Sequence, residues 1–222
     1  MDVKDAIKSR FSVRKYLNKP VEKKLIYKIL DIARFSPSGH NMQPWEVAIV
    51  TGKTKDELSK RLMDDFNSRK ARNYDYNYAI RNIPAFINDR RKACNAKIFK
   101  HKHIDPIADK EALHEHIMEN FKFFGAPVEL FFLREKHLGE GTLIDIGIFA
   151  QSVMLAAWEL GLGSCPQASI AAYPDTIRNT LKLPDNKIVL FGIALGYPDL
   201  ENYINKLRMD RDAVDAFSTF YD

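Results

Sequence analysis

Two arginines and a serine near the start of the chain have the spacing of an anion-binding site. The run from Arg10 to Arg14 alternates polar and apolar residues. If this run is extended, Arg10, Ser12 and Arg14 point to one face, because successive side chains of a strand alternate. Guanidinium groups are forked, charged donors that suit phosphate oxygens. The spacing therefore predicts a site for a phosphate or for the polar edge of a ring.

A second polar run, residues 36–45, has the sequence SPSGHNMQPW. Its small turn-forming residues predict a loop, and Asn41 and Gln43 add two amide side chains before Trp45 opens an apolar stretch. In this order and spacing, the two runs resemble those of the flavin-dependent nitroreductase family. The segment GLGSCPQA at residues 161–168 resembles a segment of one subgroup of that family.

The resemblance implies bound FMN. Arg10 and Ser12 would contact the phosphate and ribityl side, and Arg14 would reach the phosphate or the edge of the isoalloxazine ring. The second run would contact the flavin of the other subunit. The implied contacts there are Pro37, Ser38, Gly39, Asn41 and Gln43.

The extended segment of Pro166, Gln167 and Ala168 would pass the reactive edge of the flavin. A backbone N–H near Gln167 or Ala168 would approach N5 and O4, where negative charge develops on reduction. Other branches of the family carry a glutamate and a glycine beyond this proline, whereas this chain has Ala168 and Ser169. No side chain is implied as a catalytic acid or base.

Three further residues are implied near the flavin. An arginine close to the C-terminus commonly completes the phosphate clamp in the family, usually before x-Pro-Leu. Arg211 is the preferred match although the proline is missing, and Arg208 is the alternative. Phe123 and Phe124 are candidates for lining the pocket over the flavin.

The composition and charge of the chain exclude few kinds of partner, but they are compatible with a phosphorylated cofactor. The chain has 222 residues, a formal net charge of +5 and a pI near 9.0. Such a charge suits nucleic acid, a membrane surface or a phosphorylated cofactor. No nucleic-acid-binding module is recognisable, and the longest apolar runs are of strand length, too short for a bilayer. We therefore expect no nucleic-acid or membrane partner.

Metal binding and a disulfide are not indicated either. Cys94 and Cys165 lie in no metal-ligand spacing, which favours a reducing, cytoplasmic location. Histidines two apart on a helix, as at residues 114 and 116, diverge and would not share a metal ion. We expect no metal site.

The periodicity of apolar residues predicts alternating helices and strands. Residues 67–105 (the lid segment) carry Tyr74, Tyr76 and Tyr78 among many charges, without clean periodicity, and are interpreted as an insertion that is helical in pieces. Residues 197–222 (the C-terminal arm) show no pattern for packing on their own domain. We predict helices at 2–10, 22–33, 55–66, 109–124, 142–160 and 174–181, and strands at 45–50, 128–133, 164–168 and 187–195.

The resemblance implies a single α+β domain over residues 1–222. A mixed, largely antiparallel sheet would be wrapped by helices in an intertwined homodimer. The apolar helix 142–160 would lie at the interface, and the C-terminal arm would reach across the partner.

The implied activity is a flavin-mediated oxidation and reduction. NADH or NADPH would reduce the flavin and leave, and an electron-poor small molecule such as a nitroaromatic or a quinone would then be reduced in the same pocket. The absence of G-x-G-x-x-G fits a nicotinamide that is not held on a Rossmann unit. The alternatives are reductive dehalogenation, flavin fragmentation, flavin binding or sensing without turnover, and a basic nucleic-acid-binding domain.

Overall fold

A four-stranded antiparallel sheet forms the centre of the chain. The computed structural model describes residues 1–77 and 82–222; Tyr78 of the lid segment lies outside them. The strands are β1 (Glu46–Thr51), β2 (Val128–Glu135), β3 (Gly163–Gln167) and β4 (Lys187–Gly196). Their order in the sheet is β1-β2-β4-β3, with antiparallel neighbours throughout. A short parallel bridge from Ser12 to Ser164 extends the sheet past β3.

Helices cover both faces of this sheet. They are α1 (Val3–Ser9), α2 (Lys23–Ala33), α3 (Gly52–Asn67), α4 (Ala85–Lys102), α5 (Lys110–Phe121), α6 (Thr142–Glu159) and α7 (Pro174–Leu181). Strand β2 is buried on both sides, and its side chains alternate between two apolar clusters. Leu130 and Phe132 pack with residues of α2 and α6, whereas Phe131 and Leu133 pack with residues of α3, α5 and α7. The predicted α+β architecture is confirmed.

Helix α6 buries only one side within the chain. Phe149, Val153 and Ala157 face the core, but Ile144 is 69% exposed and Ile148 is 40% exposed. Helix α6 is long and apolar enough to cross a membrane, but buried core helices of soluble proteins have the same length and composition. Within the chain, 44% of Thr142–Glu159 is buried. The outer stripe of α6 is the part that a neighbouring subunit would have to cover.

The ends of most observed elements lie within two residues of the predicted ones, and three differences are larger. Helix α3 begins at Gly52, three residues before the predicted start at Lys55. The helix predicted to reach Phe124 ends at Phe121, because Phe123 and Phe124 both adopt left-handed φ angles of 51° and 54°. In the lid segment, an 18-residue helix, α4, stands where helical pieces were expected.

The first part of the C-terminal arm packs on its own chain. Asn205 is buried; its side chain donates to the carbonyl of Lys15 (2.7 Å) and accepts from the backbone N–H of Arg14 (2.8 Å). Ion pairs then tie Asp210 to Lys97 of α4 (2.7 Å) and Asp212 to Arg90 of α4. From residue 213 onward every residue is exposed, including three large aromatic side chains, Phe217, Phe220 and Tyr221.

Candidate functional site

The arginine run alternates as its sequence predicts. Phe11 and Val13 are buried in the core, while Arg10, Ser12 and Arg14 are partly exposed. The run is fixed against β3, since the backbone N–H of Val13 donates to the carbonyl of Ser164 at 3.0 Å. The three polar side chains are therefore placed on one side of a short extended segment at the edge of the sheet.

Arg10 has donors that nothing in the described chain accepts. Its Nε and Nη1 atoms are buried, and neither has a hydrogen-bond partner within residues 1–77 and 82–222. Burial lowers the pKa of Arg10, and the charge of Arg211 lowers it further. Leaving a charged donor buried and unpaired is costly. Two guanidinium groups in such proximity fit a phosphate, which would accept from the free donors and offset the repulsion.

The two C-terminal arginines are placed differently. The guanidinium of Arg208 lies 3.6 Å from the centre of the Phe11 ring, and its Nη1 donates to the carbonyl of Asn205 at 2.7 Å. Arg211 is exposed, and within residues 1–77 and 82–222 it donates only to the backbone carbonyls of Met209 and Asp210. Arg208 is thus engaged in packing, whereas the charge of Arg211 acts on Arg10.

Strand β3 brings the third predicted segment beside the arginine run. The side chain of Gln167 is buried; its Nε2 donates to the carbonyl of Asn120 at 2.7 Å, and its Oε1 has no partner among the described residues. Pro166 is exposed and Ala168 is partly exposed. Strand β3 is the last of the four strands and pairs with β4, and on its outer side it bridges to the arginine run at Ser164. Beyond that bridge its outer edge presents backbone groups. Burial raises the pKa of Cys165 to about 11, so its thiol stays protonated and is not a nucleophile.

The loop 36–45 packs against α6, which covers the face of the sheet opposite to α3, α5 and α7. The hydroxyl of Ser36 donates to Ser152 Oγ at 2.8 Å, and the backbone N–H of Gly39 lies 3.3 Å from both carboxylate oxygens of Asp145. Trp45 stacks on Phe149 with ring centres 4.6 Å apart. The loop's predicted contact residues are exposed or half-exposed: Pro37, Ser38, Gly39, Asn41 and Gln43.

Within one chain these two runs do not meet. Phe11, inside the arginine run, packs edge-on against Trp158 near the end of α6, whereas Gly39 contacts Asp145 in its first turn. More than three helical turns separate these contacts, roughly 20 Å at 1.5 Å per residue. The Gly39 end of the loop therefore lies far along α6 from the arginine run of its own chain.

Phe123 and Phe124 lie in the core. Phe123 has no exposed surface and packs edge-on against Phe131 of β2, with ring centres 6.2 Å apart. Phe124 is nearly as buried. Neither ring offers open surface to a substrate in the single chain, and their pocket role stays a prediction.

Glu129 is a buried acid that sequence reasoning missed. It lies on β2, is fully buried, and neither carboxyl oxygen has a hydrogen-bond partner within the described residues. Burial raises its pKa well above the usual range, and Lys55 offsets this only in part. A Cβ at Gly192 on the neighbouring strand would lie only 2.0 Å from Glu129 Oε1, so glycine is what makes room for the carboxyl. The sequence signal that could have revealed Glu129 is an acidic residue within the otherwise apolar run 128–133.

A sequence model of the nitroreductase family matches residues 7–197 of the chain. The chain belongs to the nitroreductase family. It is 34% identical to the 4-nitrobenzoate reductase of Pseudomonas putida, an alignment that covers 99% of this chain and 95% of that protein. It is 28% identical to the chloronitrobenzene nitroreductase of Comamonas testosteroni, over 98% of this chain and 96% of that protein.

Solved nitroreductase structures share the fold along the whole chain. The FMN and NADPH-dependent nitroreductase NfnB from Sphigopyxis sp. strain HMH superposes with a TM-score of 0.96 at 30% identity, covering 100% of both chains. The FMN-dependent NfnB from Mycobacterium smegmatis, solved in complex with NADPH, gives 0.93 at 27% identity, covering 99% of this chain and 97% of that one. The family and fold expected from the sequence are thereby confirmed.

Proposed function

We propose that this nitroreductase-family protein is an FMN-dependent, NAD(P)H-oxidising reductase of nitroaromatic compounds that works as a homodimer. The observation that carries the proposal is Arg10, with two buried donor atoms that no described residue accepts. Relatives that are FMN and NADPH-dependent, or that are named as reductases of nitroaromatic compounds, support the same assignment.

The chain's own residues would bind and orient the cofactor. Arg10 and Arg211 would hold the phosphate with Ser12, and Arg14 would bind the phosphate or the edge of the ring. Backbone N–H groups at Gln167 and Ala168, together with Pro166, would bind the reactive edge of the flavin. When bound, FMN supplies the hydride and electron transfer, so the protein needs no acid or base of its own.

The other side of the cofactor would be covered by a second copy of the chain. The implied contact residues are exposed or, for Ser38, half-exposed: Pro37, Ser38, Gly39, Asn41 and Gln43. Gly39 contacts the first turn of α6, roughly 20 Å along the helix from the contact of the arginine run. The exposed stripe of Ile144 and Ile148 gives α6 an apolar surface for that contact. Two equivalent sites per dimer follow from the two-fold symmetry of such an interface.

The reaction would follow a ping-pong order, because donor and acceptor use one pocket. NADPH or NADH would bind in this pocket and leave before the acceptor binds there. Nitroaromatics are the proposed acceptors, and quinones, which are equally flat and electron-poor, are a second class. The free thiols of Cys94 and Cys165 suit the reducing cytoplasm that we propose as the location.

The first test is the absorbance spectrum of the purified protein, followed by anaerobic addition of NADPH and then NADH. We expect flavin absorbance that bleaches with a nicotinamide donor and returns when a nitroaromatic compound is added. A colourless protein that takes up no added FMN would refute the proposal. Absorbance that neither donor bleaches would leave a flavin-binding protein without this activity.

The clamp is tested by Arg10→Ala. Charged hydrogen bonds contribute about 1.5–3 kcal/mol each, so the Kd for FMN should rise at least about tenfold. Arg61→Ala is the matched control, since Arg61 is exposed and pairs with Glu57 on its own helix (2.6 Å). If Arg10→Ala binds FMN as tightly as the control, the assignment of Arg10 is wrong.

A further inference from the structure

A lysine and a histidine meet where the lid helix α4 crosses α5. Lys102 is the last residue of α4, and its Nζ lies 3.1 Å from Nδ1 of His116 on α5. The ring of Phe99, one turn earlier on α4, meets the imidazole edge-on with centres 5.5 Å apart. The contacts of Lys102 and Phe99 hold the imidazole of His116 in place, and all three side chains are half-buried.

The chemistry of this pair fixes where its protons are. Burial lowers the pKa of His116 to about 4, and the charges of Lys102 and Arg14 add to the effect, so the imidazole is neutral near pH 7. An ammonium group can only donate, so Nδ1 must accept and the imidazole proton is on Nε2. Within residues 1–77 and 82–222, Nε2 makes no hydrogen bond. The pair thus offers one positive charge and one neutral N–H donor.

The pair borders the arginine run. His101, next to Lys102, donates from Nε2 to the carbonyl of Tyr203 at 2.7 Å, and Asn205, two residues further on, accepts from the backbone N–H of Arg14 at 2.8 Å. These contacts place the end of α4 beside the run.

The charge of Arg14 accordingly lowers the pKa of both Lys102 and His116. Glu119 is the carboxylate that counters the effect at Lys102, but burial remains the larger influence and lowers the pKa of that lysine. Lys102 is half-buried, its close partner is a neutral imidazole, and Arg14 lies nearby. The positive charge at this position is therefore not fully compensated.

The kind of anion follows from the donors. A phosphate dianion is best matched by forked guanidinium groups, as at Arg10. A single ammonium with one neutral N–H donor and an adjacent aromatic ring instead suits a monoanionic carboxylate on a flat, apolar molecule.

We propose that Lys102 and His116 form a carboxylate-binding subsite of the acceptor pocket, so that the preferred acceptors are nitroaromatic acids rather than neutral nitroaromatics. The inference rests on the proposed function, because it assigns the acceptor class of that same site. Lys102 selects for the negative charge, and His116 orients the carboxylate through Nε2–H.

The test compares 4-nitrobenzoate with 4-nitrobenzamide, which is neutral and similar in shape. In the holoenzyme, kcat/KM should be higher for the acid, and Lys102→Met should lower the acid-to-amide ratio of kcat/KM at least about tenfold. Lys100→Met is the control, since Lys100 is exposed on the same turn of α4. An equal loss on both acceptors, or a change confined to the KM for NADPH, would overturn the subsite.

A second measurement needs no variant. Benzoate should inhibit the reduction of 4-nitrobenzamide by the wild-type enzyme competitively, and benzamide should inhibit more weakly. Equal inhibition by the two would overturn the subsite, even if Lys102→Met does not fold. A holoenzyme that reduces both acceptors equally well contradicts this inference alone, whereas one that reduces neither contradicts the proposed function.

Discussion

Glu129 carries an ionisable group into the core of the protein without a partner among the described residues. The flanking residues of β2 are apolar and buried, so the free energy of ionising this carboxyl is high in the folded state. Its ordinary pKa of about 4.3 applies only when the chain is unfolded. The folded chain therefore keeps a proton that the unfolded chain releases at neutral pH.

This difference makes stability depend on pH with a definite sign. Because the folded pKa is raised, the contribution of Glu129 is fully present below about pH 4 and is lost as the pH rises toward the folded pKa. Glu129→Gln removes the ionisation. We expect the variant to gain on the wild type by up to about 1.4 kcal/mol per pH unit as the pH rises above about 4.3. Urea unfolding at fixed protein concentration measures the gain.

The control for this experiment is Glu201→Gln, whose side chain is 95% exposed and lies 3.7 Å from Lys206. Its difference in the free energy of unfolding from the wild type should stay nearly constant with pH. If Glu129→Gln tracks Glu201→Gln across the same range, Glu129 is ionised in the folded protein and its burial has another explanation.

At the scale of elements, an ion pair and two hydrogen bonds of backbone N–H groups fix the first part of the lid segment. Asp75 Oδ2 accepts from Arg178 Nη1 of α7 at 2.5 Å and from the backbone N–H of Val189 of β4 at 2.9 Å. Both charged side chains are largely buried, at 13% and 15% exposed. The backbone N–H of Asn73 adds a bond to the carbonyl of Ala172 at 2.9 Å. The segment is thus tied to both α7 and β4.

Removing Asp75 should be costly because it leaves a guanidinium and a backbone N–H without an acceptor. We expect Asp75→Ala to lower the free energy of unfolding by about 2–3 kcal/mol, since Arg178 keeps Asp175 as a second partner. Asp89→Ala removes an exposed pair with Lys92 (3.8 Å) and should have little effect. Equal effects of the two variants in urea unfolding would show that the Asp75 pair does not anchor the segment.

The success of sequence reasoning depended on whether an element is specified locally. Helix α7 was predicted to the residue, because Pro174 opens it and apolar spacing follows. Buried and partly exposed side chains alternate along the arginine run as expected, because this alternation depends only on the local extended backbone. Helix α4 was not predicted as one helix because it has no apolar stripe. Its contacts with the rest of the chain include long-range pairs such as Arg90–Asp212 and Lys97–Asp210, which the local sequence does not reveal.

The functional site divides in the same way. Arg10, Ser12 and Arg14 could be grouped from spacing alone, and the structure keeps them on one side of the run. The pairing of Lys102 with His116 joins two helices across a loop, so no sequence period reveals it. In a single chain, Gly39 of the loop and Phe11 of the arginine run contact opposite ends of α6. The sequence does not reveal this separation, because it depends on how both runs pack on the helix.

At the scale of the whole molecule, cofactor binding and subunit association should be one coupled equilibrium. Each proposed site draws arginines from one chain and the loop 36–45 from another, so FMN favours the dimer and the dimer favours FMN. The exposed stripe of α6 is where this coupling can be tested without touching a cofactor residue. Ile144 is 69% exposed on that stripe.

Ile144→Lys places a charge that must be desolvated in the interface, so we expect sedimentation equilibrium to show a shift toward monomer. FMN affinity should fall on the order of tenfold or more at the same protein concentration, although every clamp residue is intact. Raising the protein concentration should restore dimer and FMN binding together. Ile107→Lys is the control, since Ile107 is 81% exposed in the loop between α4 and α5. A monomeric Ile144→Lys protein that binds FMN with wild-type affinity would mean that one chain holds the cofactor alone. In that case the loop 36–45 would have no part in its site.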